Sequence, residues 1–172
     1  MNSYDAVVYD LDGTLVHLAV DWDAVASEVA ATLRDRGTEP PDDLWAMLQH
    51  ARDAGHGEAV ESVIADHERD GARRSTRLAR ADDLPLDVPV GVCSLNCAAA
   101  VRIALDTHGL ADHVRTVVGR DTLDTEKPDP KPLLTALGAL DATPERTLFV
   151  GDSTRDEETA RRAGTAFEWV ED

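Results

Sequence analysis

Five short apolar runs constrain this chain most. They lie at residues 6–9, 90–93, 114–118, 147–150 and 166–170. Each has the length of a buried strand, and Pro89 just before the second suits a strand start. Between the later runs come helical patterns. One covers about residues 98–108 and stops at Gly109. A second begins near Pro132 and carries Leu133, Leu137 and Leu140 on one face. A third covers about 155–163 and stops at Gly164. Continuous apolar strands alternating with helices predict an α/β fold built on a doubly wound parallel sheet, whose ligands bind beyond the carboxyl ends of the strands.

The alternation breaks between residues 17 and 86, directly after the first strand. Trp22, Val25, Val29 and Leu33 share one helical face. Leu44, Met47, Leu48 and Ala51 form a second stripe, and Val60, Val63, Ile64 and His67 a third. Pro40-Pro41 and Gly55-His56-Gly57 separate the three, and a fourth, Arg-rich helix is expected over residues 73–81. The chain therefore divides into a core of residues 1–16 and 87–172 and a small all-helical insertion, residues 17–86.

The first strand ends in Asp10-Leu11-Asp12-Gly13-Thr14. Residues two apart in a strand face one side, so Asp10 and Asp12 repel unless a cation offsets them. The other strand ends add to the pattern. Ser94-Leu95-Asn96 follows the second strand and Lys127-Pro128-Asp129-Pro130 lies in the loop after the third. Gly151-Asp152-Ser153 follows the fourth, with Asp156 four residues beyond Asp152. Carboxylates are oxygen donors of the kind Mg²⁺ takes. Lysine and hydroxyl groups suit phosphoryl oxygens. Taken alone, Asp-Gly also makes a turn, Ser94 or Asn96 also caps a helix, and Asp156 also suits a first helical turn.

The segments "DLDGTL", "CSLN", "KPDPKP" and "GDSTRDEETA", in this order and at these strand ends, resemble the haloacid dehalogenase-like superfamily. The likeness is to its phosphatase branch and to the phosphoglycolate phosphatase type in particular. It spans nearly the whole chain and puts the insertion where the family carries a cap. It implies a Mg²⁺-dependent phosphatase that hydrolyses small phosphate monoesters through an aspartyl-phosphate. On that likeness Asp10 is the nucleophile, and Asp12 protonates the leaving alcohol and then takes a proton from water. Ser94, Asn96 and Lys127 hold the phosphoryl group, and Lys127 offsets the charge of Asp10. Asp10, Asp12 through its backbone carbonyl, Asp152 and Asp156 hold Mg²⁺. The family often has an acidic residue where this chain has His17, and the segment before the second strand is short for the family.

The dehalogenating and phosphonate-cleaving members lack an acid at the position of Asp12, which favours a phosphatase or, as an alternative, a phosphomutase. A second alternative is a non-enzymatic phospho-acceptor of the receiver type. Two features oppose it: Asp10 leads on the first strand, and an insertion follows that strand.

Charge narrows the partners. Asp and Glu number 34 against 17 Lys and Arg, for a net charge of -17. Such a surface repels nucleic acid and anionic membrane; the small phosphorylated metabolite expected as partner is what the family likeness, with a small cap over the site, implies. Lys127 and Lys131 are the two lysines among those basic residues. Acid excess with Arg replacing Lys predicts adaptation to concentrated salt, where screening weakens self-repulsion; the alternative is an ordinary acidic protein of a GC-rich genome, which also favours Arg over Lys. The segment Met1-Asn2-Ser3-Tyr4-Asp5 lacks a leader pattern, which predicts a cytoplasmic protein. Cys93 and Cys97 are expected to be buried, with no redox role.

Overall fold

A computed structural model describes residues 3–171; Met1 and Asn2 of the N-terminal segment and the terminal Asp172 lie outside the described residues. The core is a five-stranded sheet. Its strands are β1 (Ala6–Tyr9), β4 (Val90–Cys93), β5 (Thr116–Val118), β6 (Thr147–Gly151) and β7 (Ala166–Trp169), in the order β5-β4-β1-β6-β7. Every pairing is parallel, with Val8 opposite Gly91 on one side and Phe149 on the other. The chain builds outward from β1 to β5, then returns to the other side of β1 for β6. The carboxyl end of the central strand therefore sits where the winding reverses.

β1 is buried throughout because it is covered on both faces. Val7 and Tyr9 join one apolar cluster with Val92, Val101 and Leu105. Ala6 and Val8 join the opposite one with Leu133, Leu137 and Phe149. This period-2 split explains why the strand reads as an unbroken apolar run. The covering helices are α4 (Ala98–Thr107), α5 (Lys131–Ala139) and α6 (Thr154–Ala163). Gly164, at φ 85°, ends α6 in the left-handed conformation that glycine adopts without a Cβ clash.

The insertion carries α1 (Trp22–Asp35), α2 (Leu44–Asp53) and α3 (Gly57–Arg73). Asp21 and Asp43 cap the first two helices by accepting from the backbone N–H groups of Ala24 and Ala46. The predicted stripes meet in a cluster of their own, with Val25, Val29 and Leu33 against Leu48, Val60 and Ile64. His67 is the exception: its Nε2 reaches the Glu28 carboxylate at 2.6 Å on the outside.

The expected fourth helix over residues 73–81 does not form. α3 continues to Arg73, and Ser75 then donates its hydroxyl to the Ala72 carbonyl. β3 (Thr76–Arg77) pairs antiparallel with β2 (Val16–His17), and a short 3-10 turn covers Ala79–Asp83. A two-stranded ribbon thus joins the entry and exit of the insertion, which is not all-helical. The β-branched Thr76 suits that pairing better than a helix interior. Beside the ribbon α3 crosses the incoming chain closely. A Cβ on Gly71 would lie 2.5 Å from Val20, and the Gly71 carbonyl accepts from Ala19 N–H at 3.1 Å. The third core strand also starts later than expected, at Thr116, because Val114 closes a 3-10 turn.

Candidate active site

β1 delivers Asp10 to the centre of the sheet edge, with its N–H on the Val150 carbonyl at 2.9 Å. Asp10 is 7% exposed. Thr14 reaches back to its Oδ2 at 3.4 Å. The turn after β1 needs Gly13 at φ 87°, and a Cβ there would collide with the Asp152 carboxylate. Gly151 has the same role at the end of β6, where a Cβ would lie 2.5 Å from Asp156 Oδ2. The two glycines let two turns and three carboxylates share one small volume. Ser153 caps α6 by accepting from Asp156 N–H at 3.1 Å, which turns Asp156 inward.

Lys127 lies at the middle of this group and is 4% exposed. Its Nζ donates to Asp10 Oδ1 at 3.0 Å, to the Cys93 carbonyl at 3.1 Å and to Asp156 Oδ1 at 2.6 Å. An ammonium has three N–H donors, and all three are placed. Burial pushes the carboxyls of Asp10 and Asp156 up from the usual range, and Lys127 opposes that rise in both. Burial opposes the charge on Lys127 too, but Asp10 and Asp156 outweigh it and its ammonium is held more firmly than usual. Burial also raises Asp152.

Carboxylate oxygens of Asp10, Asp152 and Asp156 converge within 4.8 Å of one another. One lysine offsets only one of these three charges. A compact set of hard oxygen donors with excess negative charge fits Mg²⁺, so the residues present suit the ion that the motifs imply. The Asp12 side chain lies apart from that set and accepts the Leu18 N–H at 3.0 Å. Burial raises its carboxyl, with the Leu18 N–H opposing. A carboxylic acid that keeps its proton to higher pH suits proton donation.

Ser94 and Asn96 are both buried at this edge but bond to each other. The Ser94 hydroxyl donates to Asn96 Oδ1 at 2.9 Å and accepts the Asn96 N–H at 3.0 Å. Asn96 Nδ2 turns away toward Glu68 on α3, at 2.8 Å. Asn96 is thereby tied to the insertion. Cys93 and Cys97 are buried free thiols. Desolvation pushes them up to about 12 and about 11.

Sequence reasoning missed a second buried group. Arg120, with a side chain 0% exposed, follows β5 and faces two acids of α3. It donates to Glu61 at 3.0 and 2.6 Å, to Glu68 at 2.9 and 2.8 Å, and to the Leu95 carbonyl at 2.8 Å. Burial opposes its charge, but Glu61 and Glu68 outweigh that and hold the guanidinium protonated. A signal was present: Glu68 continues the buried i, i+4 series Val60, Ile64 and Ala72 on α3, an acid inside an apolar stripe.

A cavity of about 230 Å³ opens over Asp10, Asp12, Lys127 and Asp152. Its far wall is Trp22 and Trp45, both contributed by the insertion. Trp22 was expected only as part of a packing stripe, and Trp45 carried no expectation.

Residues 85–170 match the profile of the haloacid dehalogenase-like hydrolases. A phosphoglycolate phosphatase of Rhodospirillum rubrum is 32% identical over 189 residues, spanning 92% of this chain and 76% of that protein. An N-acetylmuramic acid 6-phosphate phosphatase of Pseudomonas putida is 32% identical over 180 residues, spanning 93% of this chain and 79% of its own. Among solved structures, a protein of Lactobacillus plantarum described as a phosphoglycolate phosphatase superposes with a TM-score of 0.72 at 23% identity, covering 97% of this chain and 86% of that one. CbbY of Rhodobacter sphaeroides, in complex with phosphate, superposes at 0.70 with 17% identity, covering 96% and 85%. At these identities the solved structures establish the fold. No described helix is long and apolar enough to cross a membrane.

Proposed function

The chain belongs to the haloacid dehalogenase-like hydrolases, as a phosphatase of the phosphoglycolate phosphatase type, and on that premise we propose that it hydrolyses small phosphate monoesters at the Asp10 cluster. The observation that carries this reading is Lys127, held between Asp10 and Asp156 at 3.0 and 2.6 Å beside a third carboxylate. The three carboxylates outnumber that one ammonium, so the cluster keeps excess negative charge for a cation to offset.

Asp10 Oδ attacks phosphorus, and the phosphorus–oxygen bond to the alcohol breaks as Asp12 donates its proton to that oxygen. The phosphoryl group then rests on Asp10 as an acyl phosphate. Asp12, now ionised, takes a proton from water as the water attacks the same phosphorus, releasing phosphate and restoring Asp10. Splitting the reaction this way replaces one difficult step by two easier ones. Lys127 stabilises charge on the phosphoryl oxygens as it moves. Ser94 and the Ser94–Asn96 turn support the phosphoryl side. Asp10, Asp152, the Asp12 carbonyl and Asp156 would hold Mg²⁺, which supplies further charge neutralisation there when bound. Residues 17–86 form the cap that covers the site and limits the size of the alcohol.

The test is phosphate release from a panel of monoesters with Mg²⁺, repeated with EDTA and with Asp10→Asn. Release that stops with EDTA, returns with Mg²⁺ and is lost in Asp10→Asn is the expected result. Wild-type turnover by Asp10→Asn would remove Asp10 as nucleophile.

A further inference from the structure

The outer wall of the cavity is the part that faces the alcohol of a bound monoester. Trp22 opens α1 and Trp45 lies in the first turn of α2, so both rings stand at the ends of their helices nearest the core. Their centroids are 6.0 Å apart at 53°. Trp45 is braced from behind, with the Arg120 guanidinium 5.6 Å from its ring centre. Arg120 is itself held by Glu61, Glu68 and the Leu95 carbonyl. Trp45 is therefore backed by a buried network, and Trp22 packs beside it.

The charges divide unevenly between the two ends of the cavity. Carboxylates Asp10, Asp12, Asp152 and Asp156 line the core end. Lys127 has all three N–H donors committed to Asp10, Asp156 and Cys93. Arg155, also in the wall, belongs to the first turn of α6 at the same end. The insertion contributes the two indoles and no Lys or Arg to the wall. Behind them, Asp23, Asp42 and Asp43 border the outer side of the same pair.

An indole face carries the negative part of the ring quadrupole. It attracts C–H groups and other ring edges and gives a carboxylate no counter-charge. A volume of about 230 Å³ is below the roughly 300 Å³ at which drug-sized pockets begin. It leaves room for a phosphoryl group and one compact alcohol.

Building on the phosphatase reading, we propose that Trp22 and Trp45 form the leaving-group subsite of this chain. They select monoesters of uncharged cyclic alcohols, whose ring lies against the indoles, over esters carrying a second anionic group such as phosphoglycolate. The shared chemistry is a flat C–H or aryl face; a sugar ring and an aryl ring both supply it.

The experiment compares kcat/KM for phenyl phosphate, a hexose 6-phosphate and phosphoglycolate, each with Mg²⁺, in the wild type and in Trp22→Ala, Trp45→Ala and Trp45→Phe. At least one cyclic ester should exceed phosphoglycolate by about tenfold or more, and the better of the two identifies the ring type. Trp45→Ala and Trp22→Ala should lower the cyclic-to-phosphoglycolate ratio by about tenfold, chiefly through KM, as loss of one stacking face predicts. Trp45→Phe should restore most of the ratio, which a variant acting only through misfolding would not show. Phosphoglycolate as the preferred substrate, or a ratio unmoved by both alanine variants, overturns the proposal. A binding measurement separates this proposal from the reading beneath it. In Asp10→Asn, titration with phenyl phosphate and with the hexose 6-phosphate should quench indole fluorescence for at least one of them, at a Kd that rises in Asp10→Asn/Trp45→Ala. If the wild type cleaves none of the three esters yet that quenching is seen, the aromatic subsite stands and the phosphatase reading falls. Absence of both overturns both.

Discussion

Replacing Arg120 with Met should be among the most damaging single changes in this chain, although Arg120 belongs to none of the sequence motifs. The Arg120 and Glu68 side chains are each 0% exposed, whereas Glu61 is 26% exposed. Met fills much of the arginine's volume, so the loss is mainly of charge and hydrogen bonding. Five donated bonds disappear, two of them to Glu68. Glu61 can turn to water. Glu68 cannot, and it keeps only Asn96 Nδ2 at 2.8 Å and Cys97 N–H at 3.3 Å. Breaking a buried pair so that one charge is left behind costs about 3–5 kcal/mol. At about 2–4 °C per kcal/mol for a chain of this size, the melting temperature should fall by roughly 10 °C.

The origin of the loss is checked with the pair. Arg120→Met/Glu68→Gln removes the stranded charge while Gln Oε1 still accepts from Asn96 or Cys97. More than half of the lost stability should return. Urea melts of the wild type, both single variants and the double variant at one fixed KCl concentration give the coupling energy directly. A loss of less than about 1 kcal/mol in Arg120→Met, the size of an exposed pair, would refute the argument that this network is desolvated. So would a double variant no more stable than the worse single one.

Two further outcomes follow from charge. Lys127→Arg should cut kcat by about 10²–10³ with little loss of folded protein, because a planar guanidinium cannot reproduce three converging bonds from one nitrogen; the exposed Lys131, changed to Arg, should leave kcat unaltered. Equal kcat for Lys127→Arg and the wild type would remove the lysine from the mechanism. Stability should rise from low to molar KCl, since the range of charge repulsion falls from about 10 Å at 0.1 M to about 3 Å at 1 M on a chain of net charge -17; a melting temperature independent of KCl would leave the arginine-for-lysine composition without a salt-adaptive meaning.

What was legible in the sequence follows the range of the interactions that decide each element. β1, β4 and β6 could be read because strands covered on both faces must be apolar throughout. The clustering of the carboxylates could be read because a parallel sheet brings all its strand ends to one edge, so Asp10 and Asp152 meet without any distant contact being known. Residues 73–81 could not. Arg- and Ala-rich composition favours helix locally, but the partner of Thr76 and Arg77 is His17 and Val16, some sixty residues earlier by the numbering. Nor could the contact of Asn96 be read, since its amide donates to Glu68 from a different unit of the chain.

Trp22 shows the limit most clearly. Its spacing with Val25, Val29 and Leu33 is that of a packing stripe, and those three are fully buried while Trp22 is only partly so. The first residue of a helix sits at the rim of the stripe it belongs to, where the same periodicity leaves one ring face uncovered. Which surface lies opposite that face depends on how the insertion docks, where Arg120 reaches across from the core to Glu61 and Glu68 and Ala65 and Ala72 of α3 join the core's apolar cluster. The residues proposed for the phosphoryl end are therefore local to four strand ends. The identity of the alcohol depends on a contact between two units that no single segment encodes, so variants of Arg120 that remain folded should alter substrate preference before they alter the phosphoryl-transfer residues themselves.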